Sequence, residues 1–251
     1  MRAMRIVAAA SLLVCGLMPG LASAAEIKVL STQATEEAYR ELVVQFEKAS
    51  EHKVTTVFTG TLDANKRLAA GETYDLIIMS SGSIDEHMKS GKVEAGSRVD
   101  LAKSGVGVAV GKGAPKPDIG SVDALKKTLL AAKSIGYSTG PSGVYMVSLF
   151  EKLGVADEVK GKLKQTPTGV FVGTIIASGE AEIGFQQVSE LSHFPGIDYV
   201  GPLPAEIQRF TSFSSGIIAS AKEAEAARSL VKFITAPAAA DAYRKRGMEP
   251  G

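Results

Sequence analysis

Hydroxyl and amide side chains recur in this chain where an apolar run gives way to a helix-forming run. The groups are Ser31-Thr32-Gln33, Thr59-Gly60-Thr61, Ser80-Ser81-Gly82-Ser83, Ser138-Thr139-Gly140-Pro141-Ser142-Gly143 and, after a late apolar run, Gln186-Gln187. The first turn of a helix has N–H groups without partners inside the helix, and it carries the positive end of the peptide dipoles. Several such starts, lined by Ser, Thr and Gln, hold an anion without any lysine or arginine. One such turn alone is ordinary helix capping. Their recurrence at corresponding places points to one shared cleft.

Other chemistries find little footing. His52 lies among charged residues, His87 on a short helix and His193 in a Pro-Gly loop, and none is spaced as a metal ligand pair. No metal centre and no cofactor is expected. The Ser142 segment is not a G-x-S-x-G nucleophile elbow, and neither a phosphate-binding loop nor a dinucleotide fingerprint occurs. Charges from Lys222 to Arg228 alternate in sign and read as a solvated helix face.

The elements that must position the decorated turns alternate between strand and helix. Ile27 to Leu30, Val54 to Phe58 and Asp75 to Met79 read as strands, each with a helix after it, including Thr35 to Lys48 and Leu62 to Ala70. Val106 to Val110 is another strand. Gly111-Lys112-Gly113-Ala114-Pro115-Lys116-Pro117 is the strongest linker signal and puts a change of lobe in this region. Further on, Ser134 to Tyr137 and Ala181 to Phe185 read as strands; Gly140-Pro141-Ser142-Gly143 leads into a helix with Val147, Phe150 and Leu153 as its apolar stripe, ended by Gly154, and Val170 to Ala177 makes a shorter one. Phe210 to Ala219 reads as a crossing strand, followed by helices over Glu223 to Ile234 and Ala238 to Lys245. The pattern predicts an α/β protein of two similar lobes: residues 25–106 with 214–251, and residues 107–213.

Residues 1–24 read as an export signal. Arg2 and Arg5 precede an apolar run from Ile6 to Leu17 that Pro19 interrupts, and Ala22-Ser23-Ala24 gives the small-x-small cleavage pattern. The whole chain has 28 basic and 27 acidic residues, so losing Arg2 and Arg5 leaves it close to neutral. That balance excludes the electrostatic footprint of a nucleic-acid or anionic-membrane binder. Cys15 is the one cysteine and leaves with the signal, so disulfides and thiol chemistry are not expected. The predicted product is a soluble monomer of the periplasm.

Several blocks carry a family resemblance: Ile27 to Phe46, Gly71 to Ser81, Pro141-Ser142-Gly143-Val144-Tyr145 with Glu151-Lys152-Leu153-Gly154, and Gly179-Glu180-Ala181-Glu182-Ile183-Gly184-Phe185. The ending, with Phe233, Ala236-Pro237, Ala240 and Arg244-Lys245-Arg246-Gly247, belongs with them. In order and spacing they resemble the molybdate-binding proteins, type II periplasmic solute-binding proteins of ABC importers. The resemblance implies two Rossmann-like lobes joined by a two-crossing hinge, closing on a small oxyanion or organic carboxylate for delivery to an inner-membrane ABC permease. It puts Thr61 and Ser142 at cleft contacts and Phe171 at a main-chain contact. The family's serine in the first turn falls on Ala34 and its late tyrosine on Gln187, leaving Thr32, Gln33, Gln186 and Gln187 as substitutes. With Thr59, Ser80, Ser81, Gly143, Val144 and Tyr145 these form the expected ligand-binding set. Periplasmic aconitate isomerases are similar to the same family, so the alternative is an isomerase shifting a double bond in a small tricarboxylate, with Tyr145 as its proton-transferring group. Lys66, Arg67 and Arg209 are the candidate partners for the substrate's carboxylates.

Overall fold

The computed structural model of the protein describes residues 24–251, so the expected export signal, apart from its last residue, lies outside the described residues. The first units are β1 (Glu26–Thr32), α1 (Glu36–Ser50), β2 (Lys53–Thr59), α2 (Thr61–Ala69), β3 (Leu76–Ser80) and α3 (Ser81–Lys89). A long strand, β4 (Val99–Gly111), leads to α4 (Val122–Ala131), β5 (Ile135–Tyr137), α5 (Pro141–Lys152), α6 (Ala156–Val159), β6 (Leu163–Gln165) and α7 (Val172–Ala177). The chain ends through β7 (Ile183–Gln187), α8 (Val188–Leu191), β8 (Ile197–Pro202), β9 (Phe210–Ile217), α9 (Ala224–Ile234), α10 (Ala240–Arg244) and β10 (Glu249–Pro250).

The strands pair in the order β2-β1-β3-β9-β4-β7-β5-β6, with β8 and β10 also bonded to β4. Pairing is parallel within β2-β1-β3 and within β7-β5-β6, and antiparallel where β9 and β4 join the two sets. Each set carries its own core. Helix α1 turns Ala38, Leu42 and Phe46 onto β1 and β3, where they meet Ile27, Ile78, Leu230 and Tyr243. In the second lobe Leu125, Met146, Leu149 and Phe150 close over Val108, Ile135 and Phe185. In both lobes the parallel strands aim their carboxyl ends, and the helix starts after them, at the space between the lobes.

The chain does not change lobe at the Gly111 to Pro117 linker signal. Strand β4 begins at Val99, well before the apolar run from Val106, because Asp100, Lys103 and Ser104 break the hydrophobic pattern of its first half. Residues Val99 to Gly105 pair with β9, and Val106 to Val110 pair with β7, so the first crossing lies inside one continuous strand. The Gly111 to Pro117 segment is a loop of the second lobe: Gly113 N–H donates to Asp198 (2.7 Å) and Lys116 Nζ to Tyr199 O (2.8 Å). Strand β9 belongs to the first sheet from Phe210 onward, so the return crossing falls at residues 203–209, ahead of the expected boundary at 213/214. The amphipathic helix α4, which buries Leu125 and Leu129, and strands β6 and β8 add to the expected elements.

The two crossings are tied together by Gln208. Its Oε1 accepts from Val106 N (2.8 Å) and Arg209 N (2.9 Å), and its Nε2 donates to Val106 O (3.0 Å). Gly105 makes room for this, since a Cβ there would stand 3.1 Å from the Gln208 amide. Replacing Gln208 with leucine keeps the volume and strands the Val106 amide. Urea unfolding of Gln208→Leu is expected to show a loss of about 1–3 kcal/mol, whereas an unchanged midpoint would mean that the clamp carries no stability.

Candidate functional site

Four helix starts converge between the lobes. Thr32 precedes the 3-10 turn Gln33–Thr35, and Gly60 precedes α2; both belong to the first lobe. Gly140 precedes α5 and Phe171 precedes α7 in the second. Thr32, Gly60 and Gly140 with their neighbours line an inner cavity of about 30 Å³ that also touches Thr61, Thr139, Ser142, Gln186 and Glu190. A larger vestibule of about 750 Å³ adjoins it, sharing Thr61, Thr139, Gly140 and Pro141.

The lobes touch across the inner cavity. Gln33 Nε2 donates to Gly169 O (2.9 Å), joining the first turn of one lobe to the loop before α7 of the other. Beside it, a Cβ on Gly60 would stand 3.0 Å from Thr168 Cγ2 and 3.2 Å from Gly169 N, so glycine permits the approach.

Hydrogen bonding sorts the expected ligand set. Among the described residues the side chains of Thr32, Thr61 and Thr139 make no hydrogen bond to another protein group, and all three face the inner cavity. Ser142 is buried and shares a hydrogen with Ser138 Oγ (3.2 Å). Thr59 is brought to neither cavity: its hydroxyl donates to Asp63 (2.9 Å), which Arg67 also engages (2.7 Å). Ser80 bonds Ser83 (3.0 Å) and Ser81 bonds Ser214 (2.6 Å), both on the vestibule wall with exposed Val144. Phe171 turns its ring outward onto Phe194, 5.6 Å between centroids, and lines a different pocket.

Tyr145 and the two glutamines serve the frame. The Tyr145 hydroxyl donates to Ile207 O (2.5 Å) in the return crossing, and burial raises its pKa while Arg209 opposes this. That hydroxyl is engaged as a donor, the wrong state for a base. Gln187 borders the inner cavity, yet its amide nitrogen reaches Ser104 O (2.9 Å) and Gly105 O (3.2 Å) while its oxygen accepts from Thr211 (3.0 Å), which bolts β7 to the hinge. Gln186 accepts from Val172 N (2.7 Å) at the start of α7 and donates to Glu190 Oε1 (2.9 Å). Of the expected carboxylate partners, Arg209 lines the vestibule and Arg67 pairs with Asp63 and Glu72.

Sequence reasoning passed over Thr139 and Glu190. Thr139 stood in a noted turn, and Glu190 carried a signal in its spacing from Gln186, four residues earlier on the segment that enters α8. Burial pushes the Glu190 carboxyl up to about 8; the Gln187 backbone and the Gln186 amide oppose the shift, and Glu36 adds to it. The vestibule holds Lys152 and Arg209, and among the described residues no carboxylate lines it.

Two α/β lobes on one curled sheet, joined by two crossings with helix starts facing the gap, define the type II periplasmic binding protein architecture. The family of bacterial extracellular solute-binding proteins matches residues 27–249, and the chain belongs to that family. An aconitate isomerase of Pseudomonas sp is 36% identical over 230 residues, covering 89% of this chain and 87% of the relative. A molybdate-binding protein of Azotobacter vinelandii is 28% identical over 240 residues, covering 92% and 93%. The solved Azotobacter vinelandii periplasmic molybdate-binding protein superposes with a TM-score of 0.75 at 19% identity, covering 88% of this chain and 98% of its own.

Gly143 supports the cleft indirectly. A Cβ there would lie 1.7 Å from Ser138 O, so only glycine lets the first turn of α5 seat against the preceding turn. Gly143→Ala is expected to cost about 3 kcal/mol by overpacking, read as a lowered melting temperature. A variant that melts like the parent would contradict this packing.

Proposed function

We propose that this chain is an extracytoplasmic binding protein that captures a small carboxylate-bearing anion between its lobes and presents it to an ABC permease of the inner membrane. The observation that carries the reading is the set of free hydroxyls at Thr32, Thr61 and Thr139, contributed by both lobes at helix starts around one cavity. Helix-start amides supply the remaining donors. These hydroxyls are open to the cleft and uncommitted to other protein groups, so each is available to donate to an anion. The adjoining vestibule favours an organic anion with several carboxylates over a compact tetrahedral oxyanion. One carboxylate fits the inner cavity, while others extend toward Lys152 and Arg209.

A second reading, isomerisation of a small tricarboxylate, is favoured by the 36% identity to an aconitate isomerase. It needs a group that takes a proton from one carbon and returns it to another. With the Tyr145 hydroxyl engaged at Ile207, Glu190 is the cleft group whose chemistry suits that role.

Purified protein incubated with cis- or trans-aconitate separates the two. Capture alone predicts thermal stabilisation, about 2.7 kcal/mol at a hundredfold excess over Kd, with the isomer ratio unchanged. A ratio moving to equilibrium would establish turnover. Stabilisation by molybdate or sulfate but by no di- or tricarboxylate would overturn the carboxylate assignment.

A further inference from the structure

Glu190 sits in the wall of a cleft otherwise built from hydrogen-bond donors. An ionised carboxylate there would repel the anion that the helix starts attract. Its surroundings supply no opposite charge: the groups that favour its ionised form are two neutral donors, the Gln186 amide and the Gln187 backbone. Among the described residues no lysine, arginine or histidine forms an ion pair with it, and its side-chain partner is the Gln186 amide. The orientation of that amide is fixed from behind: Gln186 Oε1 accepts from Val172 N, so Nε2 must face Glu190 Oε1. Oε1 is thereby held as an acceptor, and with the Gln187 backbone donating to the same carboxyl, a proton on the acid belongs on the oxygen edge that neither donor occupies.

We propose that Glu190 is a specificity-determining residue that enters the cleft as a neutral acid and donates its proton as a hydrogen bond to the bound, fully ionised anion. The proposal rests on the anion-capture reading. It selects ligands by protonation state, because an anion that already carries its own acidic hydrogen would set one donor against another. It also makes capture pH-dependent, with a sign that can be worked out. The carboxyl is pushed up to about 8 by burial, so the neutral donor prevails at pH 7 and is lost as the pH rises through that value. Weakening is therefore expected on the alkaline side, about tenfold in Kd for each pH unit above the midpoint. The ligand-free protein should follow the same group: because its folded value lies above the ordinary carboxylate range, folding stability falls as the pH rises toward 8 and then levels.

The charged groups facing Glu190 from neighbouring elements are Glu36 and Glu37 at the start of α1 and His193 beyond α8, which line an outer pocket with it. Glu36 is paired with Arg40 (2.7 Å), and His193 Nδ1 lies 2.9 Å from Ser192 Oγ. His193 lines the same outer pocket, so it enters the test as a control.

The experiment is calorimetric titration of trans-aconitate from pH 6.5 to 9.5, where its carboxylates stay ionised. The proteins are the wild type, Glu190→Gln, Glu190→Leu and His193→Gln. The wild type and His193→Gln should bind evenly to about pH 7 and about tenfold more weakly by pH 9. Glu190→Gln, which keeps a neutral donor, should match the wild type at pH 7 within about threefold and stay flat; Glu190→Leu should be flat and weaker throughout. A flat wild-type profile, or a slope retained in Glu190→Gln or lost in His193→Gln, overturns the proposal. Infrared difference spectra of the ligand-free wild type against Glu190→Gln give an independent reading. A protonated-carboxyl C=O band at pH 7 that vanishes above about pH 8 supports the assignment, and its absence at pH 7 overturns it whatever binds. Failure of the wild type to bind trans-aconitate at any pH would instead refute capture of that carboxylate, and the Glu190 role in it, while the infrared band would still report the acid's state.

Discussion

The site depends on two lobes presenting their helix starts to one another at close range. The bond from Gln33 Nε2 to Gly169 O is the visible mark of that closure, and the glycine at position 60 lets the neighbouring backbones approach. A helix start in water has its N–H groups solvated and holds an anion weakly. The same donors held facing each other across a narrow cavity act together and without reorganisation. In the proposed reading, closure turns ordinary capping residues into a binding surface. It also explains why the cleft needs no lysine or arginine in its inner part.

The hinge shows how the frame supports this. Gln208 and Gln187 hold the crossing strands through backbone carbonyls and amides rather than through apolar packing, so each lobe keeps its own core while the connection stays narrow. Tyr145 joins the same network by bonding Ile207 O, linking the second turn of α5 to the return crossing. Polar side chains near the cleft therefore divide into those that maintain the geometry and those left for the ligand.

Much of the fold could be read from the chain because its parallel strands are short apolar runs punctuated by glycine and hydroxyl turns. The positions of Thr61, Ser142 and the Gly140 turn followed from that pattern. What sequence could not supply was the bonding state of each hydroxyl and amide. Thr59 and Thr61 are two residues apart, yet one is bound to Asp63 and the other faces the cavity. Gln187 looks as suitable as any ligand group until the proximity of Ser104 and Gly105 in space is known. Glu190 was missed because an isolated glutamate on a short helix ordinarily reads as a solvated charge; only its packing beneath Gln186 and Glu36 gives it another character. The first half of β4 escaped because Asp100, Lys103 and Ser104 interrupt its apolar run, although Val99 to Gly105 pair with β9.

The central claim is that both lobes hold the same guest. Titration of trans-aconitate against Thr61→Val and Thr139→Val tests it most directly, since each change removes one free hydroxyl from a different lobe and keeps the side-chain volume. The account predicts that either substitution weakens binding about tenfold or more, as expected for a hydrogen bond to a charged group. Binding that survives unchanged when the hydroxyl of either lobe is removed would contradict it.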